Sequence, residues 1–570
     1  MSTDQNTPTP PSRPLFIGYD GHEPSISWFE RIDRWLFAPG ADPRRSYVLT
    51  RTIFLRSLGL VYLAAFVSLW VQVDGLVGSR GVLPAQGYLA EFRVQGPDLS
   101  PAGRFVQMPT LCWISASDEF LRFLCAGGAA LSCVVIGGLV PVPALFLLWL
   151  FYLSLVNVGQ VFLGYQWDAL LLEAGFLAIF FAPLQLRLGP PLIWRRGSRS
   201  TTKAEAAADP GPSRLFLYLL RWLMFRLMFL SGLVKLTSGD PTWRNLTAMR
   251  YHYWAQPLPT WTSWYAHLAP DWFQAVSTAG VFGAELCAPL LIFGPRRLRL
   301  LGCGAIVLFQ LLIAATGNYG FFNLLTIVLC LTLVDDAIWM RLGIGRQRLI
   351  PPTADNLGAP GCPTEHAGPP DSPIPTTLKT RWRRWAAVPL VAVIFVLSFP
   401  PALDWVGLGD LVPRPLMRAY AAVRPFESIN AYGLFANMTT ERPELILEGS
   451  NDREHWQAYE FKWKPGDVSR RPRFCIPHMP RLDWQLWFAA LELTGGQDAP
   501  WVLPFLARLH EGSPPVMRLL AKNPFPDRPP KYFRIAVYKY RFTTWAEQSR
   551  SGDWWHRDRV GESRVIEPSE

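Results

Sequence analysis

The stretch LFLYLLRWLMFRLMFLSGLV (215–234), followed by KLTSGDPTWRNLTAMRYHYWAQPLP (235–259), decides the fold class. The first part is mostly apolar and has about the length that an α-helix needs to cross a bilayer. The second part is rich in Trp, Tyr, His and Arg and precedes another apolar segment at 273–294. An aromatic, polar loop between two spans indicates a membrane protein whose loop packs on another part of the chain or binds a partner.

Apolar blocks of similar length recur along the chain, which has 570 residues, half of them hydrophobic. At roughly 20 residues for each crossing, the sequence predicts nine spans: 52–73, 119–138, 142–163, 166–186, 215–236, 273–294, 299–316, 319–335 and 386–403. The expected fold therefore begins with an α-helical polytopic membrane bundle over 52–348. This bundle carries an aromatic outer loop at 237–272, and the last span, 386–403, follows separately.

The basic residues indicate the orientation of the bundle. The formal net charge is +11, and the Arg residues form short clusters between apolar blocks: Arg44/Arg45/Arg51, Arg195/Arg196/Arg199, Arg296/Arg297/Arg299, Arg346/Arg348 and Arg381/Arg383/Arg384. A cytoplasmic N-terminal segment, 1–51, places all of these clusters on the inner side, as the positive-inside rule expects. Nucleic acid is not an expected partner, because no basic recognition module is present.

The sequence after the bundle changes character. Residues 349–385 begin with a Pro/Gly-rich stretch and are predicted to be a flexible linker. Residues 404–570 are expected to form a soluble, β-rich, sandwich-like domain on the extracytoplasmic side. Alternating apolar residues predict strands, and longer apolar periods predict helical insertions: strands in Glu444–Glu448, Trp456–Trp463 and Tyr532–Phe542, and helices in Trp484–Leu493 and Trp501–Leu509.

Charged residues inside spans are costly, so each is a candidate for function or for pairing with another charge. They are Arg56, Asp168, Glu173, Arg221, Arg226, Lys235 and Glu285. Asp168 and Glu173 are five residues apart, about 140° around a helix, so a two-carboxylate pair on one face is disfavoured. We expect Asp168 to pair with an Arg of the fifth span. Arg221 and Lys235 nearly eclipse each other on that span, and this basic stripe could meet Asp168 and Glu173.

The outer loop and the C-terminal domain are rich in aromatic residues that suit a docking surface, for the domain itself or for a client protein. The candidates are Trp243, Arg244, Tyr251, His252, Tyr253, Trp254, Trp456 and Trp484. No metal site and no cofactor is expected, because Cys/His metal spacing, nucleotide-binding fingerprints and hydrolase motifs are all missing from the sequence. No catalytic residue is assigned; Lys235, His252, Asp168 and Glu173 are the weak candidates.

Several long segments carry a family resemblance. The loop 235–259 resembles the signature loop of the lipase maturation factor family, as do FLGYQWDALLLEAGFLAIFFAP (162–183), GNYGFFNLLTIVLCLTLVDD (317–336) and residues 447–491. The membrane part is more distantly similar to the membrane domain of vitamin K-dependent carboxylase. The first resemblance implies a multipass membrane protein whose soluble domain assists the folding and assembly of secreted lipases, without known enzyme chemistry.

Three functions are therefore weighed, and a transporter ranks last because the spans lack clear inverted repeats or paired broken helices. The first is a membrane-bound, chaperone-like maturation factor for secreted proteins, with membrane lipid and a secreted client such as a lipase as partners. The alternative is a membrane-embedded enzyme acting on a lipid, a lipid-linked substrate or protein side chains, with Lys235, His252 and Asp168 or Glu173 around a buried polar pocket. Separate, satisfied ion pairs would count against the enzyme. The expected location is the endoplasmic reticulum membrane in a eukaryote or the cell membrane in a bacterium.

Overall fold

Long apolar helices make up the first part of the chain in a computed structural model, which describes residues 46–188, 211–344 and 378–567. Side chains of 378–386 are not described. Most of the predicted N-terminal segment 1–51 and of the predicted linker 349–385 therefore lies outside the described residues. The boundaries predicted for these segments stay predictions.

Seven helices are long and apolar enough to cross a membrane: Val48–Trp70 (α1), Asp118–Gly137 (α5), Pro141–Val158 (α6), Arg214–Thr237 (α8), Asp271–Phe293 (α12 with its continuation), Arg296–Thr316 (α13) and Ala387–Trp405. The predicted spans at 166–186 and 319–335 are also helical but shorter, as Gln166–Phe181 (α7) and Phe322–Leu333. The α-helical membrane bundle is confirmed. The span count is roughly as predicted. The two shorter helices differ because hydropathy detects an apolar segment but not the turn that ends its helix early.

Shorter helices connect several of the spans, and the last span, Ala387–Trp405, is formed by two consecutive helices. On the chain before α5 the shorter helices are Val73–Val77 (α2), Ala85–Gln95 (α3) and Pro101–Gln107 (α4). The outer loop contributes Pro241–Arg244 (α9), Ala248–Ala255 (α10) and Trp261–His267 (α11), and α12 proper covers Asp271–Phe282. After α13 come Phe322–Cys330 (α14), Asp336–Arg341 (α15), Leu378–Leu397 (α16), Phe399–Trp405 (α17) and Arg414–Val423 (α18).

Close helix packing in the bundle depends on glycine. A Cβ atom on Gly128 of α5 would lie 2.3 Å from the ring of Phe66, and one on Gly175 of α7 would lie 1.8 Å from the hydroxyl of Tyr62. Both aromatic residues belong to α1. Small residues let neighbouring helices approach closely in membranes, where packing rather than the hydrophobic effect drives association. These two glycines therefore set how α5 and α7 pack on α1.

The C-terminal part contains two antiparallel sheets. The four-stranded sheet has the order β2-β1-β5-β6, and a two-stranded sheet pairs β3 with β4. The strands are Arg442–Ser450 (β1), Gln457–Ala458 (β2), Glu460–Phe461 (β3), Leu520–Lys522 (β4), Tyr532–Phe542 (β5) and Trp555–Glu562 (β6). The helices between and after them are Arg481–Thr494 (α19), Val502–His510 (α20), Pro514–Met517 (α21) and Trp545–Ser551 (α22). The predicted β-rich domain with helical insertions is confirmed.

The central pair of strands forms the hydrophobic layer of this part. β1 pairs with β5 along its whole length, with Leu445 opposite Val537 and Leu447 opposite Ile535. Leu445 and Leu447 are fully buried, because α19 packs on β1. The apolar residues of α19 continue from this layer towards the bundle, and the two parts of the molecule share one hydrophobic core. The outer loop is thus held between the bundle and the sheet.

Candidate functional site

The outer loop is bound to the segment that precedes β1. Asp240 caps α9 by accepting a hydrogen bond from the Thr242 amide at 2.7 Å, and its second oxygen accepts one from the Met438 amide at 2.5 Å. The Trp243 indole donates to the carbonyl of Phe435 at 3.1 Å, and the side chain is buried. Because the same Asp both starts the helix and binds the distant segment, loop folding and docking are coupled.

Arg442, the first residue of β1, closes the C-terminal end of α10. Its guanidinium donates to the carbonyls of Trp254 (2.9 Å), Gln256 and Pro257 (2.8 Å), and it also pairs with Glu444 at 2.6 Å. The last carbonyls of a helix have no partner within the helix, and a buried end needs donors from elsewhere. Arg442 is fully buried and supplies them from the C-terminal part.

Two indoles complete this docking. The Trp487 indole of α19 donates to the Ala255 carbonyl at 3.0 Å. In the opposite direction, the Trp264 indole of α11 donates to the Thr543 carbonyl at 2.9 Å, just after β5. Each partner thus presents an aromatic donor to the backbone of the other. Such reciprocal bonds leave the backbone of both segments satisfied within the interface.

The predicted docking residues fall into different environments. Trp243, Tyr253 and Trp484 are buried, so they can contact another part of this chain but not a client protein. Tyr251 packs beside the cluster around Trp243, and Trp254 makes an edge-to-face contact with His267. Arg244 is exposed. Trp456 lies apart from the loop, under the guanidinium of Arg534 on the sheet.

His252 lies inside the interface, with its ring 5.2 Å from that of Phe435 and its Nε2 atom 3.4 Å from the Tyr319 hydroxyl. Burial, followed by the positive charge of Lys235, lowers the pKa of His252 to about 4. The imidazole is therefore neutral at physiological pH. Its surroundings are those of a packed side chain, and among the described residues no group of three His, Cys, Asp or Glu side chains could hold a metal ion.

Asp168 does not pair with the fifth span, contrary to the expectation from the sequence. Its carboxylate forms a two-pronged ion pair with Arg481 of α19, at 2.7 and 2.8 Å, and also accepts a hydrogen bond from the Tyr152 hydroxyl. Arg481 further donates to the Phe162 carbonyl at 2.7 Å. Both charged side chains are fully buried. The partner comes from the C-terminal part, which sequence spacing within the bundle could not reveal.

Glu173 does pair with the fifth span, through Arg226. Its second oxygen accepts hydrogen bonds from the Asn430 amide at 3.0 Å and the Tyr432 hydroxyl at 2.7 Å. Arg226 also donates to the Asn430 carbonyl at 2.8 Å. This second buried pair again holds a segment of the C-terminal part against the bundle.

The prediction that the basic stripe of α8 meets Asp168 and Glu173 through Arg221 and Lys235 is wrong. Lys235 pairs with Glu285 at 2.8 Å and donates to the Leu434 carbonyl at 2.8 Å, whereas Arg221 donates to the Thr332 carbonyl at 2.9 Å. Helical spacing places the two cations on one face but does not specify a common partner. Lys235, Asp168 and Glu173 therefore sit in three separate ion pairs, which was the arrangement expected to count against the enzyme alternative, and His252 packs between aromatic side chains.

Exposed aromatic rings bridge the outer loop and the C-terminal part. We name Trp264, Tyr265 and Trp545 the aromatic ridge. The Trp264 ring lies 5.0 Å from that of Tyr265 and 4.7 Å from that of Trp545. Trp264 is buried, whereas Tyr265 is 47% and Trp545 is 55% exposed. A capping box between Thr544 and Glu547 starts α22 at Trp545 and so fixes this ring on the surface.

Sequence reasoning missed the residues of the C-terminal part that bind the bundle and the loop. They are Asn430, Tyr432, Arg442 and Arg481. One signal was present: Arg442 and Arg481 each begin an element with several large apolar residues, RPELILEGS and RLDWQLWFAALELT, where a buried charge needs a partner. This pattern predicts that each Arg has a buried hydrogen-bond or ion-pair partner, but it does not identify that partner.

Comparison with known proteins covers both parts of the chain. The lipase maturation factor transmembrane domain matches residues 49–341, and the lipase maturation factor C-terminal domain matches 428–565. Lipase maturation factor 2 of Gallus gallus is 39% identical over 92% of this chain and 81% of its own length. For lipase maturation factor 2 of Homo sapiens the identity is 37%, over 90% of this chain and 82% of the relative.

Lipase maturation factor 1 of Homo sapiens is 34% identical over 92% of this chain and 90% of its own length. No solved structure matches the chain. The two domain matches follow each other in the same order as the bundle and the β-rich part, and the likeness to whole relatives is not confined to one motif. The chain belongs to the lipase maturation factor family.

Proposed function

We propose that this chain is a membrane-anchored maturation factor that assists the folding and assembly of secreted lipases. The family and the names of its relatives support a lipase as the client. The observation that carries the proposal is the aromatic ridge, where Tyr265 and Trp545 stay exposed at the meeting point of the outer loop and the C-terminal part while Trp264 and the surrounding interface are buried. Contiguous exposed apolar surface marks a site of interaction.

The geometry suits transient contact with a partly folded client. Tyr265 and Trp545 offer large rings with only two rotatable side-chain bonds, so contact costs little conformational entropy. Trp264 lies beneath these two rings and fixes their spacing, because its indole is hydrogen-bonded to the Thr543 carbonyl. The ion pairs of Asp168 and Glu173 hold the C-terminal part on the bundle. The ridge is thus presented at a fixed place on a membrane anchor.

Removing both exposed rings is expected to reduce client maturation without unfolding the protein. Cells that lack this protein would be complemented with the full chain carrying Tyr265→Ala and Trp545→Ala. Activity of secreted lipase, normalised to lipase mass, is expected to fall about tenfold, since two truncated aromatic contacts each cost on the order of 1 kcal/mol or more. Membrane levels of the variant should match those of the unaltered chain.

A matched control removes exposed apolar side chains from other elements of the C-terminal part. Leu503→Ala in α20 with Val560→Ala in β6 deletes side chains that are at least as exposed. This control should leave lipase activity unchanged. Equal lipase activity with the ridge variant and the control, both at normal membrane levels, would reject the ridge as the client surface.

We also propose that the outer loop and the C-terminal part face the extracytoplasmic side, which is the lumen in the endoplasmic reticulum of a eukaryote and the outer face of the cell membrane in a bacterium. The positive-inside distribution of Arg supports this orientation. Asn437, in the sequence Asn-Met-Thr, is exposed and lies next to the Met438 amide bound by Asp240. It fits an acceptor site for N-glycans.

Expression of the full chain in a eukaryotic cell therefore tests the orientation. Asn437 and Asn245, which lies in Asn-Leu-Thr and is also exposed, are expected to receive N-glycans. They would be seen as a mobility shift that a glycosidase removes and that Asn245→Gln with Asn437→Gln abolishes. Asn451, which is exposed and followed by Asp-Arg, lies outside any acceptor sequence, so Asn451→Gln should leave the shift in place. A cytoplasmic C-terminal part would give no shift for the unaltered chain.

A further inference from the structure

A basic cleft lies beside the aromatic ridge. Its volume is about 430 Å³, and it is lined by Trp261, Arg471, Pro472, Arg473 and Phe474. One wall therefore comes from the outer loop and the other from the chain between β3 and α19. Arg471, Arg473 and Phe474 are exposed, so the cleft is open to the surroundings.

Hydrogen bonds connect both walls of the cleft to the outer end of the membrane helix α13. Thr260 and Thr262, next to Trp261, both donate hydrogen bonds to the Ala315 carbonyl in the last turn of this helix. Asn318, just beyond the helix, donates to the Arg473 carbonyl at 2.8 Å and accepts from the Cys475 amide at 2.7 Å. These bonds place both walls of the cleft where α13 leaves the membrane.

The helix below the cleft faces lipid. Only 22% of the residues in the most apolar stretch of α13 are buried in the protein. Leu308, Leu311 and Leu312 are each more than half exposed, and they lie one to two turns before Ala315. In a helix whose exposed face is this apolar, the surrounding medium is the acyl-chain region of the bilayer. The cleft thus sits at headgroup level, directly above a lipid-contacting surface.

The cleft carries positive charge that no carboxylate of the described chain neutralises. Arg471 and Arg473 form no ion pair among the residues described in the structure. The guanidinium of Arg471 lies near two indoles, 4.5 Å from the Trp261 ring centre and 5.5 Å from that of Trp554. These cation–π contacts restrict the position of the guanidinium, so an anion would meet a partly ordered donor group.

We propose that this cleft binds the phosphate group of an anionic phospholipid of the outer leaflet. Two unpaired guanidinium groups provide the planar donors that suit phosphate oxygens. Trp261 and Phe474 lie at the level of the membrane–water interface, where aromatic rings are common. The exposed Leu residues of α13 would pack against the acyl chains of the bound lipid. This binding site does not depend on the identity of the client.

A membrane lipid fits the site better than an acidic protein segment. Both ligands would satisfy the two Arg residues, but only a lipid would also use the apolar surface of α13 beneath them. Free phosphate shares the headgroup chemistry and lacks the acyl chains. The test therefore compares these three ligands on the same protein.

The experiment uses the full-length protein in detergent micelles and titrates it with phosphatidylglycerol that carries a fluorophore on one acyl chain. Arg471→Gln with Arg473→Gln is expected to weaken lipid binding about tenfold or more, because each lost charge-assisted hydrogen bond is worth on the order of 1.5 kcal/mol or more. Arg471→Lys with Arg473→Lys keeps the charge without the planar fork and should fall in between.

The matched control, Arg528→Gln with Arg550→Gln, removes the same charge from two other exposed sites of the C-terminal part and should bind like the unaltered chain. Glycerol 3-phosphate and a ten-residue polyglutamate peptide serve as unlabelled competitors, and neither should displace the lipid at matched concentration. Equal affinity of the Gln pair and the control, or displacement by either competitor as readily as by unlabelled phosphatidylglycerol, would overturn the proposal. Gel filtration confirms that each variant is folded.

Discussion

Arg481→Met is expected to destabilise the full-length protein by about 3–5 kcal/mol, because it leaves a buried carboxylate without its cation. In the native structure, Asp168 and Arg481 face each other at 2.7 Å, and neither is exposed to water. Among the described residues, the Tyr152 hydroxyl is then the one remaining donor to Asp168. Unfolding of the full chain in detergent, followed by intrinsic fluorescence, measures the loss.

A second variant separates the charge effect from simple loss of packing. Asp168→Leu combined with Arg481→Met removes both charges and should recover most of the stability, because paired apolar residues can replace a buried ion pair. The matched control is Arg508→Met, which also loses a bond to the bundle side, to the Gly81 carbonyl, but from a partly exposed position. A loss for Arg481→Met no greater than for this control would show that the ion pair does not anchor the C-terminal part.

Arg442→Met is expected to cost a similar 3–5 kcal/mol or so, since it strips three buried backbone carbonyls of their donor and leaves the Glu444 carboxylate with Lys464 as its remaining cation. The carbonyls belong to Trp254, Gln256 and Pro257, at the end of α10. Loss of their donor should also loosen the outer loop. Limited proteolysis of the full chain should therefore cut within 237–272 in this variant and leave the unaltered loop intact.

Two further variants provide a comparison for the loss of stability in Arg442→Met. Arg442→Lys keeps the positive charge but cannot reach several carbonyls at once, so it should lie between the native protein and Arg442→Met. Arg534→Met breaks an ion pair with Glu448 on the same sheet, at a partly exposed position, and should cost no more than about 1 kcal/mol. Proteolysis of the loop in Arg534→Met as fast as in Arg442→Met would contradict the specific role of Arg442.

Both predictions bear on how the function is studied. Arg442 and Arg481 belong to the C-terminal part, yet their partners lie in the outer loop and the bundle. An isolated fragment from residue 404 onwards would expose two cations and the apolar face of α19. The full chain in a membrane mimetic is therefore the appropriate material for client and lipid binding.

The candidate site shows how far local sequence patterns reach. The aromatic outer loop stood out by composition, and its contact residue Trp243 was named from sequence. The pairing of Asp168 was not found, because its partner lies 313 residues away in the chain. Helical spacing relates residues within a few turns, and a single sequence contains no information on which distant element will pack there.

The basic cleft illustrates the same limit. Arg471 and Arg473 belong to a short basic stretch that is unremarkable in sequence, and Trp261 is one of 25 Trp residues. Only folding brings them together at the end of α13 and leaves their charge unpaired. Trp484 was a candidate for docking of either the C-terminal domain or a client, and folding buries it against Trp167 of the bundle, at 4.9 Å between ring centres.

The sequence by itself determined the membrane helices and the main strands, because hydrophobic length and alternation follow from the bilayer thickness and the geometry of a strand. It also indicated the orientation through the distribution of Arg. The tertiary structure alone decided which charges pair, which aromatic rings stay exposed and where the loop is held. Those outcomes depend on burial, and burial is created by contacts between elements that are hundreds of residues apart.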